Sequence, residues 1–294
     1  MLRKILLGIF ATAMVLAIVY MLGPKLQEQE IIIEFPEVPT RLSELQSYVD
    51  LREDTVIGLK PGNEAYIVWA DSMNKHKTPY SIVYIHGFGA SPMEGDPVHR
   101  FLAAHFGANL FVTRLPDHGI KRENGLEYVS PQALSPWMQK LMQWTMMKNK
   151  IIHQNREGEK AMYWSEDYHM NVYESLAMIL YGNMNEATFK KIHQPLFLAY
   201  YYKDNEAQDD VVSVPKMKEM FEQISTPAAM KREQAFPNTG DHVIGSSITS
   251  GDWEGVLFST IDFLENVVKI PAKPEYQEKV EDLMQIQETI QNID

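Results

Sequence analysis

Apolar and polar positions come in blocks along this chain, and the blocks have two different periods. Short runs rich in β-branched and aromatic residues predict strands over 65–70 and 81–85, because such side chains suit a pleated, half-buried surface. The second run is nearly all apolar, as a central strand buried on both faces should be. Further strands are predicted over 109–114 and 195–201. Between and after them the period lengthens to that of a helix. Residues 97–105, the stretch carrying Met217, Met220, Phe221 and Ile224, and the face made by Val256, Leu257, Thr260, Ile261, Leu264 and Val268 all follow it. Strands alternating with helices imply an α/β fold with a mostly parallel sheet, and ligands at the carboxyl ends of its strands.

At the N-terminus Arg3 and Lys4 precede 19 uncharged residues, 5–23. At ~1.5 Å per helical residue that length is enough to cross a hydrocarbon core of ~30 Å. No small-x-small cleavage site ends it. The reading is a signal anchor over residues 1–23 with a cytoplasmic N-terminus. The protein is then a single-pass membrane protein, its soluble part on the periplasmic or extracellular side. A Glu- and Pro-rich spacer (24–54) is expected next. The first part of the α/β core (55–130), a helical cap rich in Met and aromatic residues (131–190) and the second part of the core (191–270) follow. A polar C-terminal helix (271–294) carries a thin stripe of Val280, Leu283, Met284 and Ile290.

Composition removes several function classes. With 45% hydrophobic residues the 294-residue chain forms a core and is not disordered. A net charge of −12 argues against a nucleic-acid partner, since phosphate neutralisation needs clustered Lys and Arg. The absence of cysteine removes disulfide scaffolds, thiolate zinc sites and Cys nucleophiles. Asp117, His118, His169 and His193 lack any zinc-ligand spacing, so neither a metal nor a cofactor is expected.

Three constellations remain. The strand over 81–85 ends in His86-Gly87-Phe88-Gly89. The next strand runs into Leu115-Pro116-Asp117-His118-Gly119. Later, Asp209-Asp210-Val211-Val212 follows the strand near Tyr201, and Gly240-Asp241-His242 precedes the last amphipathic helix. A carboxylate fixes an imidazole tautomer, and the imidazole moves a proton.

Together these loops resemble the α/β-hydrolase superfamily of serine esterases and lipases, over about half the chain. The resemblance implies a mostly parallel α/β-hydrolase-type sheet, narrowed if its central strands are missing. It assigns Asp209 as catalytic acid, His242 as base, the Phe88 N–H as oxyanion donor and His86, Gly87 and Gly89 as the oxyanion loop. His118 has only a structural part in it. The implied substrate is a small ester or lipid-like molecule.

One element of that pattern is missing. No G-x-S-x-G stands anywhere in the chain, and the family places its nucleophile there. Ser135, Ser165 and Ser175 are available hydroxyls, but none follows a strand in a strand–turn–helix context. Ser135 before Pro136 reads as a helix N-cap. Eight of the 17 Met fall between Met138 and Met184, which suits a cap with adaptable side chains. Two functions follow: an acyl hydrolase without a locatable serine, or a non-catalytic binding module descended from one.

Overall fold

The strands predicted from the apolar runs form, but they are short and divide between two of the three sheets found among the described residues. The computed structural model describes residues 2–22, 35–121, 151–169 and 182–276, and the single positions 172, 176, 180 and 285. In the first sheet β1 (Tyr66–Val68), β2 (Ser81–Tyr84) and β3 (Asn109–Val112) stand in the order β1-β3-β2. β3 runs parallel to β2, with Phe111 opposite Val83, and antiparallel to β1, with Phe111 opposite Ile67. β4 (Ile151–His153) and β5 (Asp167–His169) form an antiparallel pair, and β6 (Leu196–Tyr200) and β7 (Lys231–Ala235) a parallel one.

The expected single, mostly parallel hydrolase-type sheet is therefore corrected. Among the described residues each sheet has two or three strands, and two of the pairings are antiparallel. β2 is the clearest departure. Its apolar sequence predicts a central strand, yet among the described residues it lies at an edge, with Val83 58% exposed and Ile85, just past its end, 65% exposed. An apolar run establishes that a strand forms. Its neighbours depend on ladder partners distant in sequence, which the run does not encode.

Among the described residues the α-helices are α1 (Leu2–Leu22), α2 (Leu42–Asp54), α3 (Val98–Phe106), α4 (Glu159–Tyr163), α5 (Glu186–Phe189), α6 (Val214–Gln223) and α7 (Trp253–Phe263). α3 stops where Gly107 takes the left-handed conformation (φ 56°) and its N–H reaches the Ala103 and Ala104 carbonyls. That closure satisfies carbonyls the helix end leaves open. α7 starts at Asp252, whose side chain accepts the Gly255 N–H, a helix N-cap.

Two small cores form among the described residues. Leu110 and Val112 of β3 are wholly buried against Ala103 of α3 and are flanked by Tyr66, Val68, Ile82 and Tyr84. Val98 and Phe101 of α3 meet Trp253 and Leu257 of α7, with the Phe101 and Trp253 rings stacked 5.7 Å apart. Leu110→Ala should therefore cost about 2–5 kcal/mol, through lost transfer energy and the cavity left behind. A urea midpoint lowered with an unchanged slope is the expected reading; an unmoved midpoint would refute this account of the core.

The membrane anchor is also corrected. Among the described residues no helix is long and apolar enough to cross a membrane. The single-pass, non-cytoplasmic placement expected from residues 1–23 is therefore not supported.

The cap differs as well. Its described part holds β4, α4 and β5 in a strand–helix–strand order before α5, so it is not uniformly helical. Ser135, Ser175, Trp137 and Trp144 lie outside the described residues, as do spacer positions 24–34 and the C-terminal stripe of Val280, Leu283, Met284 and Ile290.

Candidate functional site

Asp209 sits nine residues beyond the end of β6, in a loop that folds back on itself. Its backbone N–H returns to the Tyr201 carbonyl at 3.1 Å. Its Oδ1 accepts the Val211 and Val212 N–H groups at 2.9 and 2.8 Å, a turn that Asp makes readily with backbone two and three residues on. The other oxygen, Oδ2, lies 2.6 Å from His242 Nδ1.

His242 comes from the loop after β7. Gly240 turns that loop in the left-handed region (φ 73°). Asp241 holds it by accepting the Val243 N–H at 3.0 Å and the Lys160 ammonium at 2.6 Å.

The electrostatics of the pair are mutual. Burial pushes the Asp209 carboxyl up, but hydrogen bonds from His242 and the Val212 N–H outweigh it and hold the group below its ordinary value. The bond to Asp209 raises the His242 imidazole above its ordinary 6.5, against the opposing effect of burial. Because Asp209 accepts at Nδ1, neutral His242 carries its proton there and leaves Nε2 as the basic nitrogen. The Asp209 side chain is buried, while that of His242 stays 33% exposed. This is an oriented imidazole with an accessible base.

His86, expected in the oxyanion loop, acts as a brace. Its Nδ1 donates to the Gly87 carbonyl at 2.9 Å and its Nε2 accepts the Leu115 N–H at 3.0 Å. Burial lowers its pKa to about 4 and keeps it neutral. The His-Gly loop is thereby tied to the Leu115–Gly119 turn, where buried His118 donates from Nδ1 to the Pro116 carbonyl at 2.9 Å. The His86 and His118 rings lie 5.0 Å apart.

Two glycines in the loop have steric reasons. Gly89 has φ 75°, and a Cβ there would lie 2.2 Å from the Tyr168 hydroxyl; at Gly87 a Cβ would meet Glu94 at 2.7 Å. The Phe88 ring packs between His118 and Tyr168, with centroids 6.1 and 5.9 Å away.

The sequence reading passed over Glu94. Its carboxylate accepts the Gly87 N–H in a very short contact and the Tyr84 hydroxyl at 3.1 Å. It shares the lining of one cavity, about 460 Å³, with His242. Burial raises its carboxyl pKa. The only signal in the chain was Ser91-Pro92-Met93-Glu94, which reads as a helix-capping pattern and carries no hint of chemistry.

The β4–α4–β5 segment spans both loops. The Ser165 N–H donates to the Gly89 carbonyl at 2.8 Å, while Lys160 pairs with Asp241. Lys60 holds the segment from below by donating to the Ala161 and Trp164 carbonyls at 3.2 and 2.9 Å. Ser165 thus meets the His-Gly loop through its backbone. Among the described residues no hydroxyl lies within hydrogen-bond distance of His242. Nor do three or more His, Asp or Glu side chains gather there to hold a metal ion.

No protein-family model matches the chain, and no match is found among curated proteins.

Proposed function

We propose that Asp209 and His242 are the acid–base element of an ester hydrolase related to the α/β-hydrolase superfamily, acting on a small ester or lipid-like substrate. The observation that carries this reading is the 2.6 Å contact between Asp209 Oδ2 and His242 Nδ1, with Oδ1 fixed by two backbone N–H groups. Such an arrangement leaves Nε2 free to take a proton.

In this reading water is the nucleophile. Its oxygen bonds to the ester carbonyl carbon as Nε2 removes one of its protons. The carbon–alkoxide bond then breaks, and the imidazolium returns that proton to the departing oxygen. Acid and alcohol leave, and His242 is neutral again. In the resemblance the Phe88 N–H of the Gly87-Phe88-Gly89 loop is the donor to the developing oxyanion.

The test is hydrolysis of p-nitrophenyl butyrate together with labelling by a fluorophosphonate. Slow turnover above the uncatalysed rate and no covalent adduct are expected. A stable adduct would mean that a serine is activated after all.

The second reading, a binding module without catalysis, is favoured by one feature: the Gly87 N–H at the entry to the loop is already taken by Glu94. It predicts no turnover of any ester by a folded chain.

A further inference from the structure

The cavity beside His242 has a distinct chemical character. Ile82, Val83, Val98, Leu102 and Ile244 contribute apolar walls, while Glu94 and His242 supply the ionisable groups along with buried His99. Among the described residues no Lys or Arg lines it. Its volume, about 460 Å³, falls within the range of small-ligand sites.

Glu94 is the unusual member. Its Oε2 accepts the Tyr84 hydroxyl and the Gly87 N–H, whereas Oε1 has no hydrogen-bond partner among the described residues. Glu94 is half-buried, and Oε1 is not enclosed by protein, so a donor or cation entering the cavity can reach it. Asp209 and Glu94 together also outnumber the one imidazolium that His242 can supply.

We infer that this cavity binds a small primary amine, its ammonium on Glu94 Oε1 and its hydrocarbon body against Val98, Leu102 and Ile244. The apolar walls exclude a second charge on the ligand, and the carboxylate selects a cation over an anion of the same shape. His99 does not compete for the amine. Burial lowers its pKa to about 4, and its Nδ1 is enclosed by protein. The inference requires no bond to be cleaved, so it stands or falls separately from the hydrolase reading.

Calorimetric titration with cyclohexylmethylamine, cyclohexylmethanol and cyclohexanecarboxylate tests it. The amine should bind saturably and at least about tenfold tighter than the carboxylate. Glu94→Gln should weaken the amine about tenfold and leave the alcohol unchanged. Glu222→Gln, which removes an exposed charge on α6, should change neither, because a chain of net charge −12 attracts any cation weakly and everywhere.

In the unaltered chain the amide resonances of Gly87, Gly95 and Gly245 should shift as the amine is added, a reading that needs no variant to fold. Equal binding of amine and carboxylate, an equal loss in Glu222→Gln, or shifts that miss those three glycines would each overturn the site. Because turnover is not measured, loss of amine binding leaves the hydrolase reading standing, and absence of hydrolysis leaves this one standing.

Discussion

His242→Ala should lower ester hydrolysis by about 100-fold or more, the scale a positioned general base contributes. Asp209→Asn should lower it by at least about tenfold while leaving the imidazole in place. The amide presents an NH₂ or a weaker acceptor to Nδ1, so the ring is no longer held in the tautomer that exposes a basic Nε2. Folding is checked separately by circular dichroism and the urea midpoint. Unchanged turnover in a folded His242→Ala chain would remove the pair from any catalytic role.

The pH dependence carries a sign that a structural role would not. A base works unprotonated, so the rate rises with pH through the His242 pKa. That value is raised above 6.5 chiefly by the bond to Asp209, and Asp209→Asn should move the midpoint of the rise downward. Stability runs the other way for this group. A raised imidazole stabilises the fold fully below its unfolded value of 6.5, and the contribution is lost as pH climbs through the folded value. Asp209, held low, stabilises above its unfolded 3.8, a contribution lost as pH falls through its folded value. The pair therefore supports the fold most between about 3.8 and 6.5. A rate midpoint that Asp209→Asn leaves in place would mean that the 2.6 Å contact does not tune the base.

Local chemistry was the legible part of this chain. Asp209 and His242 could be paired from sequence because their loops, Asp209-Asp210-Val211-Val212 and Gly240-Asp241-His242, resemble the acid and histidine loops of the α/β-hydrolase superfamily in type and order. The glycines of the His86–Gly89 loop were legible for the same reason. Register and sheet order were not. The run over 81–85 reads as a central strand, yet Val83 and Ile85 face outward at an edge, since a strand's second neighbour comes from remote sequence.

The uncharged stretch after Lys4 shows the same limit from another side. Its uncharged composition predicts a helix, and α1 forms over Leu2–Leu22, but no helix among the described residues is long and apolar enough to cross a membrane. Glu94 was illegible for a third reason. Its fit to a helix-capping pattern hid a contact with Gly87 seven residues back, made only once the loop closes over it.

The largest stability effect expected lies outside the acid–base pair, at Arg114→Ala. Arg114 Nε lies 2.6 Å from Glu53 Oε2, and a second guanidinium nitrogen is 3.3 Å from Glu53 Oε1. Both side chains are nearly buried, at 9% and 11% exposure. The guanidinium also donates to the His118 carbonyl at 3.3 Å, and Glu53 Oε2 accepts the Ala65 N–H at 3.1 Å. One planar cation thus joins the end of α2, the entry to β1 and the turn against which His86 is braced. Removing it leaves the Glu53 carboxylate buried with a single backbone donor, a situation that costs about 3–5 kcal/mol. Against a typical total of about 5–15 kcal/mol that is a large fraction. Replacing both members, Arg114→Met with Glu53→Met, should cost less than the sum of the single changes, because no charge is then left behind. Urea midpoints of the three variants decide the point. Additive losses would mean that Arg114 and Glu53 act independently, each as packing, and that the turn beneath His86 is held by other contacts.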